Sequence, residues 1–571
     1  MTEEHAVTAP RNFIADEIAA DIASGRFSRP LCTRFPPEPN GFMHIGHAMA
    51  SLTSYNLARS FGGLFNLRFD DTNPTMEEQR FVDAMIRDLE WLLETDLRDR
   101  IFHTSDYFPK LHACAVKLIE KDLAYVDDLG LEEIREYRGN FYVPGRPSPW
   151  RDRPIEENLN LFREMYEGKH APGSRVLRAK IDPASPNMNM RDPLIYRIFF
   201  ANHHRAGDWK IYPMYDFAHP LSDAFEGITH SICGKEFEDH RPLYNWFLEK
   251  LEFIEPPRQI EFAEINVSRT LLSKRYLKQF IEDGIVNDWI DPRMPTISGM
   301  RRLGYPAKSI RHFCEAIGVS KVSAGLVDRA FLDHFVRQNL DPTAPRAMGV
   351  VKPLKVVIEN YPADTTETVE ASNMPNDESF GKRKIPFSRE IYIDRDDFME
   401  EPPSKFHRLA VGREVRLRAA YIVRCTGMVK DEKTNEVKEL RVTYDPDTKS
   451  GAKRQGPKVK GTIQWVCSRS AIPVELRLYE PLFIEAFDDR DASKPMSDYI
   501  NPDSLTVLKT ALVEPGLAHV QPGQVIQLER VGYFCVDPDS TTGHLVFNRT
   551  IGLRDKKLKA LSDNAQAHKN K

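Results

Sequence analysis

Phe35-Pro36-Pro37-Glu38-Pro39-Asn40-Gly41-Phe42-Met43-His44-Ile45-Gly46-His47 is the stretch on which the reading of this chain turns. Three prolines stiffen the approach, Gly41 permits a tight turn, and His44-Ile45-Gly46-His47 opens a helix that continues through Ala48, Ala50, Leu52 and Leu57. Two imidazoles then stand beside the positive end of a helix. Gly46 is small enough for a ring or ribose to approach the backbone, so exposed amides and imidazole donors would face phosphate oxygens. A His-x-Gly-His alone is more often an ordinary turn before a core helix. The preceding Glu-Pro-Asn-Gly makes a nucleotide site the better reading.

Outward from this stretch, Ile14-Ala15-Asp16 onward reads as helix and Phe65-Asn66-Leu67-Arg68-Phe69 as a short buried strand, the alternation of a parallel α/β sheet. Asp70 and Asp71 then fall at a strand's carboxyl end, where such sheets bind ligands. Phe81 to Leu93 has the spacing of an amphipathic helix. From Tyr107 the chain turns irregular, with Arg138-Gly139, Pro144-Gly145 and Arg151-Asp152-Arg153-Pro154, and reads as an insertion. After Lys274 helical spacing returns at Tyr276–Ile285 and Ser309–Ile317, joined by the stiff Asp291-Pro292-Arg293-Met294-Pro295. Beyond Asp341-Pro342 short alternating strands take over, as in Val415-Arg416-Leu417-Arg418, which predicts β-barrels. Spacing puts Arg416 and Arg418 on one face. No internal repeat is visible by inspection, Lys449–Lys460 reads as a basic loop, and the polar, lysine-rich end reads as mobile.

The 571 residues and 65.6 kDa exceed what one core can organise and imply roughly three to five domains. With 41% hydrophobic and 29% charged residues the composition is that of an ordinary soluble protein. No apolar run reaches the ~18 residues of a membrane span, and Met1–Pro10 lacks the basic-then-apolar order of an export signal. Seven cysteines without a Cys-x-x-Cys pair argue against a zinc knuckle or a disulfide framework and fit a reducing cytoplasm. The net charge of −5 decides nothing about a polyanionic partner, because such binding needs only local basic surface.

The Phe35–His47 run resembles the nucleotide-binding signature of class I aminoacyl-tRNA synthetases, in the form shared by the glutamyl and glutaminyl enzymes. Leu271-Leu272-Ser273-Lys274-Arg275 resembles that family's mobile Met-Ser-Lys loop, with leucine for methionine. The resemblance spans nearly the whole chain, and its β-rich half is similar to the anticodon-binding half of the glutaminyl branch, shared with archaeal and eukaryotic glutamyl enzymes. It implies an α/β plus β architecture: a Rossmann-type catalytic domain in two halves, 1–108 and 212–275, around an inserted acceptor-end-binding domain, 109–211. A helical domain, 276–345, two antiparallel β-barrels over 346–555 and a mobile basic tail, 556–571, would follow.

The activity so implied is ATP-dependent attachment of L-glutamine to the 3′-terminal adenosine of its tRNA through a glutaminyl-adenylate. The family places little covalent chemistry on the protein, so alignment and charge stabilisation fall to His44, His47 and Lys274. By the same resemblance Glu38, Pro39, Asn40, Ile45, Gly46, Ala48, Met49, Ala50, Gly234, Glu264, Ile265, Leu272 and Ser273 line the ATP site. Mg²⁺ would arrive with the triphosphate, and no protein metal cage is legible. Asp70 would hold the substrate ammonium, Tyr215 its amide, and neutral Cys233 the side-chain end. Arg34 would undercut selection of an amide over a carboxylate unless a protein carboxylate occupied its charge. Asp239 matches an acceptor-stem contact, and Arg346, Arg408, Arg418, Gln527 and Arg530 match anticodon contacts.

Three departures stand out. Ala263-Glu264-Ile265-Asn266 replaces the usual Ser-Arg-Leu-Asn, Cys233-Gly234-Lys235-Glu236 replaces Cys-Thr-Leu-Glu, and Lys405 stands for a glutamine. Either Lys235 or another cation offsets Glu264, or nucleotide binding is weaker. A monomer is expected. Other readings are a glutamyl or non-discriminating synthetase, a catalytically silent tRNA-binding paralogue, and a small nucleotidylyltransferase, which would not need the β-rich half.

Overall fold

The computed structural model describes residues 12–75, 78–322, 325–452, 459–485, 487 and 494–554. The Met1–Pro10 start, the middle of the Lys449–Lys460 run and the basic tail lie outside them. The chain divides into two compact units. The first takes the chain up to Val267 with Thr296–Ser298 and Cys314–Val327, and the second takes Ser268–Pro295, Gly299–Phe313 and the chain from Asp328 onward.

In the first unit α1 (Phe13–Ala23), β1 (Cys32–Phe35), α2 (Ile45–Ser60), β2 (Leu64–Phe69), α3 (Gln79–Leu93) and β3 (Ile101–His103) alternate. β2 lies between β1 and β3, parallel to both. An insertion follows: α4 (Phe108–Glu120), β4 (Ala124–Asp127), α5 (Leu131–Arg138), α6 (Ile155–Tyr166), β5 (Val176–Ala179), β6 (Leu194–Ile198) and β7 (Ile211–Pro213). Its four strands pair antiparallel in chain order. The stretch that reads as irregular in sequence is therefore regular. Leu111, Ala115, Leu118 and Ile119 carry a helical period, whereas strands of three to five residues are too short to show alternation.

The parallel layer resumes with α7 (Tyr215–Phe225), β8 (His230–Gly234), α8 (Arg241–Lys250) and β9 (Arg258–Phe262). Thr229 and Cys32 join β8 to β1 through two short bonds, Thr229 N–H to the Cys32 carbonyl at 2.9 Å and Cys32 N–H to Thr229 Oγ1 at 2.9 Å. Phe108, Leu118, Phe162 and Tyr212 of the insertion share one core with Phe217 and Phe247 of α7 and α8. The insertion is thereby fixed to the layer by apolar burial. Every residue of β1 is buried, as expected of a strand covered on both faces. A charged side chain there, such as Arg34, must find its partners inside.

The second unit opens with α9 (Lys274–Glu282) and includes a helix at Arg329–Leu340 that the sequence reading passes over, capped by Asp328 accepting from Ala330 N–H at 2.9 Å. Its β-half holds two sheets of seven strands. One runs Arg346–Ala347, Val525–Leu528, Gly532–Val536, Leu545–Gly552, Ile472–Tyr479, Leu505–Val513, Gly349–Val350. The other runs Thr462–Ile463, Glu414–Leu417, Ile422–Lys430, Val437–Asp445, Pro353–Ile358, Glu390–Asp394, Trp465–Cys467. The two edges of each sheet are separated by one residue, Met348 in the first and Gln464 in the second. Each sheet thus curls until one kinked strand serves both edges, which makes it a barrel. Pairing is antiparallel except at two contacts in each barrel. Met348 and Gln464 are buried where the barrels close.

All seven cysteines are free. Among the described residues no helix is long and apolar enough to cross a membrane.

Candidate active site

Phe35, Asp70, Gly234 and Ile265 all follow or end parallel strands of the first unit, so they gather at the layer's carboxyl edge. The Pro37 carbonyl accepts from Asp70 N–H at 3.0 Å, tying the proline turn to the end of β2. Glu38 is exposed on that turn, Pro39 is buried, and Asn40 N–H donates to the Glu38 carbonyl at 2.9 Å. The chain then enters α2, whose N-cap is His44.

The two histidines cap this helix with their rings. His44 Nδ1 accepts from Gly46 N–H at 3.2 Å, and His47 Nδ1 accepts from His44 N–H at 3.2 Å. Amides that helix geometry leaves without a partner are satisfied in this way, and each neutral ring must carry its proton on Nε2. The rings stack at 3.8 Å and 20°. Ile45, Ala48 and Met49 are buried beneath them, while Gly46 and Ala50 are partly exposed. An Ile297 N–H bond to the Met43 carbonyl at 2.8 Å and a bridge between His44 and Thr296 hold the turn.

Beneath this edge lies a buried ionic cluster that sequence reading does not reveal. Arg34 Nε donates to Asp223 Oδ1 at 3.0 Å, and its remaining donors reach the Ile232 carbonyl at 2.7 Å and Ser231 Oγ at 2.7 Å. Arg68 meets the same Asp223 oxygen at 2.6 Å, and the Tyr244 hydroxyl donates to Asp223 Oδ2 at 2.8 Å. The His219 ring sits between the guanidiniums, 2.6 Å from Arg34 and 2.8 Å from Arg68. Burial and the two arginines hold His219 neutral, well below its usual range. Although burial works against ionisation of Asp223, Arg34 and Arg68 keep its carboxyl far below the carboxylate range. The charge of Arg34 is therefore occupied by a protein carboxylate.

Tyr215 stacks on His219 at 5.0 Å and 19°, so the cluster also orients the phenol ring. Burial, with Asp70 and Cys233 nearby, pushes the Tyr215 hydroxyl well up and keeps it a neutral donor. Cys233, the last residue but one of β8, lies beside Arg34, and burial pushes its thiol far up, so it too is neutral. Asp70 is different. Burial pushes it up to about 7, Asp71 and Glu38 add to that, and Arg68 and the Thr104 hydroxyl at 3.3 Å pull the other way. A buried carboxyl poised near neutrality is suited to receive an ammonium.

The departures meet at one point. The Glu236 carboxyl folds back over Gly234, where a Cβ would come within 2.1 Å of Glu236 Oε2, so a threonine at 234 would displace it. Burial raises Glu236, and a hydrogen bond with Glu264 raises it further. Two carboxyl groups in hydrogen-bonding contact occupy the place where a cation was expected. Lys235 does not offset Glu264, because its ammonium pairs with Glu238 at 2.6 Å.

Leu272, Ser273 and Lys274 belong to the second unit. Ser273 is the N-cap of α9, and Lys274 with Arg275 begins it. Two cations at the positive end of a helix repel its dipole, a conflict that an anion relieves.

Of the expected RNA contacts, Asp239 is exposed and its carbonyl accepts from Asn187 of the insertion at 2.7 Å. Arg408 and Arg530 share the carboxylate of Asp397, Arg530 bidentately at 2.8 and 3.0 Å and Arg408 at 3.3 Å. Arg418 pairs with Glu529 at 2.9 Å, next along the chain from Arg530. Three expected contacts therefore lie together on carboxylates, Asp397 and Glu529, that carry no signal in sequence. Val415 and Leu417 are buried while Arg416 and Arg418 are not, as the alternation predicts. Arg346 and Gln527 are register partners, both largely buried, and Arg346 caps the Asp341 and Ala344 carbonyls at 3.0 and 2.7 Å. One surface feature escaped sequence reading altogether: Phe141 and Tyr142, 87% and 95% exposed, on a loop braced by Arg191 bonds to the Arg138, Asn140 and Val143 carbonyls.

Residues 30–342 match the family described as tRNA synthetases class I (E and Q), catalytic domain, and residues 344–445 and 462–537 match its two anticodon-binding domains. The chain belongs to the class I tRNA synthetases of the E and Q group. Within that family it is similar to the glutamine–tRNA ligase of Clostridium perfringens, 52% identical over 95% of this chain and 98% of the relative. Comparable similarity extends to the glutamine–tRNA ligases of Nitrobacter hamburgensis, 52% over 97% and 98%, and Pseudomonas syringae pv. tomato, 52% over 96% and 95%. As a synthetase of this group the chain belongs to enzymes of ATP-driven aminoacylation. Among the described residues no group of three or more His, Cys, Asp or Glu is arranged to hold a metal ion.

Proposed function

We propose that this chain attaches L-glutamine to the 3′-terminal adenosine of its tRNA, by way of a glutaminyl-adenylate. The observation that carries this reading is the Arg34–Asp223 pair. A glutamate side chain entering beside Cys233 would lose its hydration and find a guanidinium already neutralised, while an amide costs far less to desolvate. The full-length likeness to glutamine–tRNA ligases supports the same choice.

In this reading the Asp70 carboxylate receives the ammonium, the Tyr215 hydroxyl meets the amide, and the substrate carboxylate faces the α-phosphate of ATP. Nε2–H of His44 and of His47 would donate to phosphate oxygens as charge moves onto the leaving pyrophosphate. Lys274 would add its charge from the start of α9. Magnesium would travel with the nucleotide rather than on a protein cage, and no step is assigned to it. Arg408, Arg418 and Arg530 would position or read unpaired anticodon bases, exchanging Asp397 and Glu529 for RNA.

Aminoacylation of purified glutamine and glutamate tRNAs, with each amino acid in parallel, tests the reading. Charging of tRNA for glutamine with glutamine at least a hundredfold more efficiently than with glutamate is expected. Equal charging would make the enzyme non-discriminating, and none would leave only RNA binding.

Glu264 gives a second expectation. Glu264→Arg should replace the hydrogen bond with Glu236 by an ion pair and place a cation by the nucleotide. The ATP KM is expected to fall several-fold, about 1 kcal/mol for one exposed charge-assisted contact. An unchanged ATP KM would remove Glu264 from the nucleotide's surroundings.

A further inference from the structure

The insertion reaches back to the amino-acid pocket through one imidazole. His203 lies on the turn between β6 and β7, in the same compact unit as the parallel layer, and is 1% exposed. Its Nε2 stands 2.8 Å from the carbonyl oxygen of Asp71, the residue after Asp70. A carbonyl only accepts, so Nε2 carries the proton. Nδ1 accepts from Arg205 N–H at 3.1 Å and from Ala206 N–H at 3.0 Å. Both ring nitrogens thus engage backbone, and the ring bridges residues 132 positions apart in the chain.

The turn that carries this ring is itself well held. His203 and Gly207 exchange two backbone bonds, at 2.9 and 3.0 Å, with Gly207 in the left-handed region at φ 77°. The Tyr212 hydroxyl donates to the Ala201 carbonyl at 2.8 Å, and the His203 ring meets Phe108 edge-on at 5.4 Å. Arg205 adds an ion pair to Asp106 at 2.9 Å. Asp106 belongs to the 3₁₀ turn Thr104–Tyr107, and the same turn supplies donors to both aspartates of the pocket edge. Ser105 donates to the Asp71 carboxylate from its N–H at 2.8 Å and its hydroxyl at 2.7 Å, and Thr104 donates to Asp70 at 3.3 Å. Asp71 is therefore fixed at its carbonyl and its carboxylate, and Asp70 at its N–H by Pro37. Apolar burial already holds the insertion to the layer, so a buried polar bond aimed at residue 71 adds direction rather than cohesion.

We propose that His203 is a positioning residue for the substrate ammonium: through the Asp71 carbonyl it sets the angle at which the Asp70 carboxylate meets glutamine. The proposal rests on the assignment of Asp70 to the ammonium made above. The insertion then takes part in amino-acid recognition without touching the amino acid. A displacement of about 1 Å at a binding group costs up to about 10²-fold, so one bond behind Asp70 is enough to matter.

The test separates the two ring nitrogens in the full-length enzyme as it charges tRNA for glutamine. His203→Asn keeps an acceptor for the Arg205 and Ala206 N–H groups, as asparagine does in turns, but is too short to reach the Asp71 carbonyl. His203→Gln keeps a donor at the reach of Nε2. With His203→Asn, kcat/KM for glutamine should fall at least about tenfold, through KM, while the ATP KM stays within about twofold. His203→Gln should recover most of that loss. In an Asp70→Asn background His203→Asn should add little, because residues that act through one another are not additive. An unchanged glutamine kcat/KM in His203→Asn, an equal loss in His203→Gln, a parallel rise in the ATP KM, or full additivity with Asp70→Asn would each overturn the proposal. A His203→Asn chain that does not fold would assign the bond to folding and overturn it too. If Asp70→Asn alone charges as efficiently as wild type, the pocket assignment itself fails, and the proposal with it.

Discussion

Asp223→Asn is expected to lower unfolding stability by about 3–5 kcal/mol, because it strips the carboxylate from a buried ion cluster while leaving its cations in place. Arg34 and Arg68 are both fully buried, and both place a nitrogen within 3.0 Å of the same Asp223 oxygen. Glu226, 3.5 Å from Arg68, answers only one of them. Asparagine keeps the shape and can still accept from Tyr244, so the loss measures charge rather than volume. The same change should relax amino-acid choice. With Arg34 no longer neutralised, glutamate gains a counter-charge, and the glutamine-to-glutamate ratio of kcat/KM should fall at least tenfold, a shift of about 1.4 kcal/mol. Denaturant unfolding and parallel aminoacylation check the two halves. Tyr244→Phe, which removes the 2.8 Å bond to Asp223 and a hydrogen bond with Ser231 but leaves the carboxylate in place, gives a milder version should the first variant not fold. Unchanged stability together with an unchanged ratio would mean that the cluster neither holds the fold nor filters the substrate.

Asp70→Asn should move activity and stability in opposite directions. Loss of a buried carboxylate opposite the substrate ammonium is expected to cut kcat/KM for glutamine by about 10²–10³, in the range of broken desolvated charge pairs. The free enzyme should nevertheless become more stable at pH 8. Asp70 is raised to about 7, so between about pH 4 and 7 the folded chain binds more protons than the unfolded one, and stability falls as pH rises. The penalty is absent below that window and complete above it. At 1.36 kcal/mol per unit its ceiling is about 4 kcal/mol, and a gain of about 1–4 kcal/mol is expected in the variant. Glutamine binding to wild type near pH 7 should also release a proton, since the ammonium favours the charged carboxylate. Calorimetry in two buffers of different ionisation enthalpy would detect it. A variant no more stable than wild type at pH 8 would show that Asp70 carries no burial penalty.

Local signals were read well from sequence. The helix start at His44, the strand at Leu64–Phe69 and the amphipathic helix at Gln79–Leu93 each depend on neighbours a few residues away. What could not be read depends on residues brought together from afar. Arg34 and Asp223 are 189 residues apart and Arg68 and Asp223 155, so only the fold reveals that an arginine in a buried strand is neutralised. Sequence reading could pose the question about Arg34 but not answer it. It also offered Lys235 as one cation that could offset Glu264, with another cation or weaker nucleotide binding as the alternatives, whereas Lys235 turns to Glu238 one helical turn on. Glycine at 234 reads as a missing contact in sequence. In the structure it is the space into which Glu236 folds.

The barrels repeat a plan that no residue pattern betrays. Both follow one strand order, but the strand that closes the barrel comes first in one, at Arg346–Val350, and last in the other, at Thr462–Cys467. They are circular permutations of each other, and one is spliced into the other between Val350 and Ile472. Gly349 and Ile472 both pair with Val513, on opposite sides of it, so the splice points stand two strand spacings apart, about 10 Å. Once the inner barrel has formed, the outer chain meets a short bridge instead of a free loop of roughly 120 residues. Closing the outer barrel then costs about 2 kcal/mol less loop entropy. The nested order of the strands therefore sets an order of assembly, inside first, during synthesis as well as refolding.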